Sequence, residues 1–157
     1  MKTVAITWML LLSLAACSAD SNVDRTVDRT GWNRIDATYF TFDIPADMVK
    51  TRVAGIDSLV GEYKNSQIRL SFDYGSYSDP LKYDKRLPQY QSSEMQVDGR
   101  KARMVTFRQS EAWLTAIHFP NAGQTSGEPA KLTIHAACET AEGLQVARAI
   151  FTSVHIK

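Results

Sequence analysis

The residues best suited to acid–base or metal chemistry are three histidines, His118, His135 and His155. Their spacing does not match that of a metal-binding cluster, so we expect neither a metal nor another cofactor. If the strands carrying His118 and His135 pair through the loop between them, His135 falls opposite residues near 115. The two side chains are then expected not to share a site.

Two glycine-flanked segments also lack the spacing of a catalytic motif. Residues 55–61 place Ser58 between Gly55 and Gly61, which is not the Gly-x-Ser-x-Gly of a nucleophile elbow. Residues 123–127 lack the lysine of a phosphate-binding loop. We therefore expect no catalytic residue and no enzyme. The alternative, an enzyme, requires titratable groups that converge in a pocket.

The clearest chemical signal lies at the N-terminus. Lys2 precedes a short apolar run, residues 4–16, which is shorter than the ~20 residues of a membrane-spanning helix and is typical of a removable signal. The run ends in Leu14-Ala15-Ala16-Cys17, which resembles the lipobox of bacterial lipoproteins. The resemblance implies a signal peptide over residues 1–16 and lipid attachment at Cys17. The alternative is an ordinary secretory signal with an incidental thiol.

A lipidated Cys17 predicts a protein held in the bacterial cell envelope. For the lipoprotein family, a serine at position 18 implies the periplasmic leaflet of the outer membrane. The polar residues 17–31 predict a flexible tether with a mean reach of roughly 20 Å, and residues 32–157 predict one domain. The chain has 18 basic and 17 acidic residues, and the signal carries only Lys2. A formally neutral remainder argues against a nucleic-acid partner.

Alternating apolar residues predict several strands between residues 39 and 138. Residues 56–63 and 67–74 predict one hairpin, and Asp98-Gly99 predicts a second with a type I′ turn. Residues 112–119 and 131–138 predict two further strands, the second ending in a buried, inert Cys138. A 3.6-residue period after an N-cap at Thr140 predicts a C-terminal helix.

These elements predict an α+β domain, an antiparallel sheet of about six strands with a C-terminal helix on one face. The early Phe40-Thr41-Phe42-Asp43-Ile44-Pro45 strand and the late segment 149–154 resemble PsbP-like proteins. The resemblance spans roughly residues 38–156 and implies an α/β/α sandwich with an accessory or assembly role. It implies no functional residue.

The segment from Tyr74 to Tyr90 is the candidate binding surface. It is a long connection rich in tyrosine, and such connections are often functional. Tyrosine and arginine are enriched at interfaces, so the candidate partner-binding residues are Tyr77, Tyr83, Arg86 and Tyr90. The alternative is a structural flap over one sheet face. We expect a tethered module that binds a protein partner, or else a carrier or sensor of a small apolar ligand held between sheet and helix.

Overall fold

The structure is a computed structural model that describes residues 27–125 and 127–157. The predicted signal peptide, Cys17 and most of the predicted tether lie outside these residues. The first strands are β1 (Asn33–Asp36), β2 (Phe40–Ile44), β3 (Val49–Thr51), β4 (Leu59–Lys64), β5 (Ile68–Gly75) and β6 (Gln91–Val97). They are followed by β7 (Arg100–Gln109), β8 (Ala112–Phe119), β9 (Gln124–Thr125), β10 (Glu128–Pro129), β11 (Lys131–Cys138), helix α1 (Ala141–Phe151) and β12 (His155–Ile156).

Seven of the strands form one antiparallel sheet in the order β3-β4-β5-β11-β8-β7-β6. A second, three-stranded sheet has the order β1-β2-β12. The α+β class with one C-terminal helix is therefore confirmed, although the large sheet has seven strands where the sequence predicted about six. Strand β11 lies between β5 and β8, so the connection from β5 to β6 must cross the sheet from its middle to its far edge.

Local turn chemistry sets the two predicted hairpins. Asp98 and Gly99 both have positive φ, 53° and 71°, as a type I′ turn between β6 and β7 requires. In the β4–β5 hairpin the side-chain oxygen of Asn65 accepts hydrogen bonds from the backbone N–H groups of Gln67 and Ile68. These bonds satisfy turn donors that the strand ladder leaves unpaired.

The large sheet buries one face beneath α1 and the small sheet. Phe40 and Phe42 of β2 are fully buried, and their rings pack edge-on against Phe72 with centroids 5.2 and 5.9 Å away. From α1, Ala147, Ile150 and Phe151 are equally buried in the same core. Each large apolar side chain buried in this way contributes about 1.5–3 kcal/mol relative to an exposed one.

The helix begins where its capping residue was predicted. Thr140 has an extended backbone, and its side-chain oxygen accepts a hydrogen bond from the N–H of Gly143 at 3.0 Å. Glu142 in the first turn and Arg148 in the last suit the helix dipole. Within the described residues, no helix has the length and apolarity needed to cross a bilayer.

The short strands β1, β3, β9 and β10 were not predicted from the sequence. Residues of β1 and β3 are mostly exposed, so their apolar pattern is too weak to identify a strand. The residues after the predicted C-terminal helix form β12, which pairs with β2. In each case a neighbouring strand, not local sequence, decides the conformation.

Candidate functional site

The second face of the large sheet is covered in part by residues 76–90, which we call the flap. Leu81 is its anchor, because its side chain is fully buried against Val105 of β7 and Ala116 of β8. Leu81 adopts φ of 57°, a left-handed conformation that is strained for a residue with a branched side chain. Burial of the side chain and a hydrogen bond from its N–H to Asp79 Oδ1 at 2.7 Å hold it there.

A buried hydrogen-bond network fixes the start of the flap to the sheet. The Thr133 hydroxyl donates to the carbonyl of Asp79 at 2.7 Å, and the Ser78 hydroxyl lies 2.6 Å from Thr133 Oγ1. His118 Nδ1 lies 2.8 Å from the same oxygen. Since the Thr133 proton points to Asp79, His118 must carry its own proton on Nδ1 and donate it.

A second contact joins the flap to His135. Its Nε2 lies 3.9 Å from Asp79 Oδ2, and the Tyr83 hydroxyl donates to that same carboxylate oxygen at 3.3 Å. Burial, and then the nearby Asp79 charge, raise the pKa of Tyr83 to about 12. Tyr83 therefore stays protonated and serves as a donor across the physiological pH range.

Within the described residues the two strand histidines share a sheet face, but each has its own partner: His118 lies on Thr133, and His135 lies near Asp79. The predicted register holds, since His135 lies opposite Ala116, but His118 lies opposite Thr133, two residues away on the same face. Diagonal neighbours in a sheet are about 7–8 Å apart. The flap brings the Asp79 carboxylate to 3.9 Å from His135, and it brings the Asp79 carbonyl to Thr133, the partner of His118. Nothing in the local sequence indicates this approach.

Burial lowers the pKa of both His118 and His135, and the Lys131 charge adds to the effect at His118. The folded state thus favours the neutral rings, whereas the unfolded chain takes up protons below about pH 6.5. The stability from this difference is fully present above about pH 6.5 and is lost as pH falls through the lowered folded values. We expect urea unfolding to show decreasing stability from about pH 7.5 to about pH 5.

The control for this pH dependence is His118→Asn, which keeps an N–H donor near Thr133 but cannot titrate. Carboxylates titrate alike in both proteins, so the variant should lose less stability on acidification than the unsubstituted chain. If both proteins lose the same stability on acidification, His118 does not contribute to the pH dependence.

The four candidate partner-binding residues have different surroundings. Tyr77 is 88% exposed. Tyr83 packs on Phe107, with centroids 4.9 Å apart, and the Tyr90 hydroxyl accepts a hydrogen bond from Arg103. Arg86 is exposed and pairs with Asp84 at 2.7 Å. Thus Tyr83 and Tyr90 hold the flap to the sheet, while Tyr77 and Arg86 face solvent.

Tyr77 lies at the end of the large sheet that we call the distal end, where Ser58 contacts Gly75. Ile56, in the preceding loop, is fully exposed. The chain enters the domain at the opposite, proximal end: Asn33 of β1 pairs with Ile44, and the chain continues from Ile44 into β3, where Val49 pairs with Lys64 at the other end of β4. The distal end therefore presents apolar side chains away from the N-terminal connection.

Beside the flap, the strand register places one row of side chains across the uncovered part of the face. From β4 to β7 the row is Lys64, Arg69, Ala137, Leu114 and Phe107. A cleft of about 140 Å³ lies over its middle, and Tyr83 and His135 form its border. An adjoining hollow of about 300 Å³ shares Arg69 and Ala137 with the cleft. The row thus runs from two cations to three apolar side chains.

Cys138 lies on the other face of β11 and is a free, fully buried thiol, as its strand position predicted. Burial raises its pKa to about 12, so it is almost entirely protonated at neutral pH. In the described part of the chain, no group of three potential ligand residues could hold a metal ion.

Comparison of the sequence with protein-family models and with curated proteins gives no match in either case. The residues that sequence reasoning missed are those of the flap network, chiefly Asp79 and Thr133, and those of the cross-strand row. The row could have been found only by fixing the register of five strands at once.

Proposed function

We propose that this chain is a lipid-anchored binding or assembly module of the bacterial envelope, with a protein partner and no catalytic chemistry. The observation that carries the proposal is the exposure of Ile56 and Tyr77 at the distal end. An isoleucine in full contact with water costs free energy that a partner would recover by covering it. Tyrosine adds a large apolar ring with a polar tip, which suits an interface.

The location of these residues agrees with anchoring through Cys17. A flexible tether that leaves from the proximal end keeps the distal end free to face the periplasm. We propose that the protein lies on the periplasmic leaflet of the outer membrane and that its domain has a PsbP-like architecture. Of the other candidate residues, Tyr83 and Tyr90 pack the flap onto the sheet, and Arg86 is exposed elsewhere on the flap.

The test is photo-cross-linking in intact cells with a photoreactive amino acid at position 77. We expect discrete cross-linked products at Tyr77 that disappear when Ile56→Asp is introduced, because the charge opposes burial of the apolar surface. The control position is Ser66, in the exposed turn at the proximal end. Equal cross-linking at positions 66 and 77, or no effect of Ile56→Asp, would contradict the proposal.

A second candidate function is the carriage of a small apolar ligand. The sequence analysis expected this ligand between the sheet and the helix. Large side chains occupy that layer, including Phe40, Phe151 and Ile134, all fully buried. The cleft described above lies on the opposite face, beside the flap. Ligand carriage is therefore better supported on the flap side of the sheet.

A further inference from the structure

We propose that the uncovered row beside the flap binds a single-chain anionic amphiphile, a carboxylate with an alkyl tail of about ten carbons. The site is formed by Lys64, Arg69, Ala137, Leu114 and Phe107. It is distinct from the distal end and does not depend on a protein partner.

The anionic head is inferred from an unfavourable pair of charges. Lys64 and Arg69 lie directly opposite each other on β4 and β5, and both are exposed on the flap side. Like charges in such positions are destabilising. Among the residues that the structure describes, neither forms an ion pair. Of the acids beside the row, Glu62 accepts a hydrogen bond from Thr51 at 2.6 Å, and Glu139 lines the same hollow as the two cations.

An anion bound at Arg69 would relieve the repulsion between the two cations. A carboxylate suits this position, because an arginine guanidinium can donate two parallel hydrogen bonds to it. Glu139 lines the adjoining hollow together with Lys64 and disfavours an anion there, so the head is placed on the cleft side of Arg69.

The alkyl tail is inferred from the remainder of the row. Ala137 and Leu114 are half-buried and form an apolar floor that continues to the buried Phe107. From Arg69 to Phe107 the row crosses three strand spacings, about 14 Å, which matches an extended carboxylate of about ten carbons. The Tyr83 ring stands over Phe107 and would end the groove.

The experiment uses decanoate and the chain from residue 17 carrying Cys17→Ser, which is free of its own lipid. Titration calorimetry should detect binding, and NMR should show shifts of the Leu114 and Ala137 methyl signals. Affinity should increase several-fold with each methylene from hexanoate to decanoate and then level off. Arg69→Gln should weaken binding at least about tenfold, since it removes a charge-assisted hydrogen bond.

Two controls decide the outcome. Lys50→Gln removes an exposed cation from the opposite face of the sheet, where Lys50 pairs with Tyr63, and should leave decanoate affinity unchanged. Decanol, which has the same tail without the charge, should bind at least about tenfold more weakly than decanoate. Absence of decanoate binding, equal losses for Arg69→Gln and Lys50→Gln, or binding only to phosphatidylglycerol vesicles would overturn the proposal.

Discussion

Replacing Leu81 with alanine is expected to destabilise the domain by about 2–5 kcal/mol, the usual cost of truncating a buried leucine. Alanine keeps the strained positive φ but no longer fills the space over Val105 and Ala116. The variant therefore loses the side-chain burial that offsets this strain. The flap should then separate from the sheet more often. Thermal and urea unfolding of the full chain measure the global effect.

Limited proteolysis reports the same change locally. Lys82, Lys85 and Arg86 are exposed trypsin sites within the flap, and cleavage requires the backbone to leave the sheet. Leu81→Ala should be cut at these sites many times faster than the unsubstituted chain. The control, Tyr77→Ala, removes an exposed ring and should leave both stability and cleavage unchanged. A flap equally protected in both variants would show that Leu81 does not anchor it.

Replacing Cys17 with serine is expected to release the protein from membranes completely. Each buried methylene contributes about 0.8 kcal/mol to membrane binding, so loss of the proposed two or three acyl chains would remove essentially all of the anchoring energy. The neutral charge of the remaining chain offers little electrostatic attraction to anionic lipid. Carbonate extraction and fractionation of cells would show the variant in the soluble periplasmic fraction.

The matched control for this substitution is Cys138→Ser, which changes the other cysteine. Its thiol is fully buried in the core, so the variant should lose stability but remain in the membrane fraction. Retention of Cys17→Ser in the membrane would contradict lipid anchoring. Metabolic labelling with a fatty acid should mark the unsubstituted chain and Cys138→Ser, but not Cys17→Ser.

The two substitutions also separate the two proposed surfaces. Cys17→Ser leaves the domain unchanged and so should preserve decanoate binding. Leu81→Ala loosens the flap that carries Tyr83 and should weaken decanoate binding, while Ile56 at the distal end stays exposed. Binding at the row and cross-linking at the distal end can therefore fail independently.

The sequence by itself determined the strands and the helix whose period is unambiguous. Residues 112–119 and 131–138 were predicted with the observed bounds, because their apolar residues alternate and turn residues flank them. Asp98-Gly99 determined its turn because few residue pairs accept two positive φ angles. Thr140 determined the helix start through a single local hydrogen bond.

Only the tertiary structure decided what depends on contacts far apart in the chain. The insertion of β11 between β5 and β8 is a matter of sheet order, which local periodicity does not encode. That order sends the flap across the sheet and brings Asp79 to Thr133, 54 residues away. It also aligns Arg69 with Ala137, Leu114 and Phe107, because a row across a sheet exists only once every register in it is fixed.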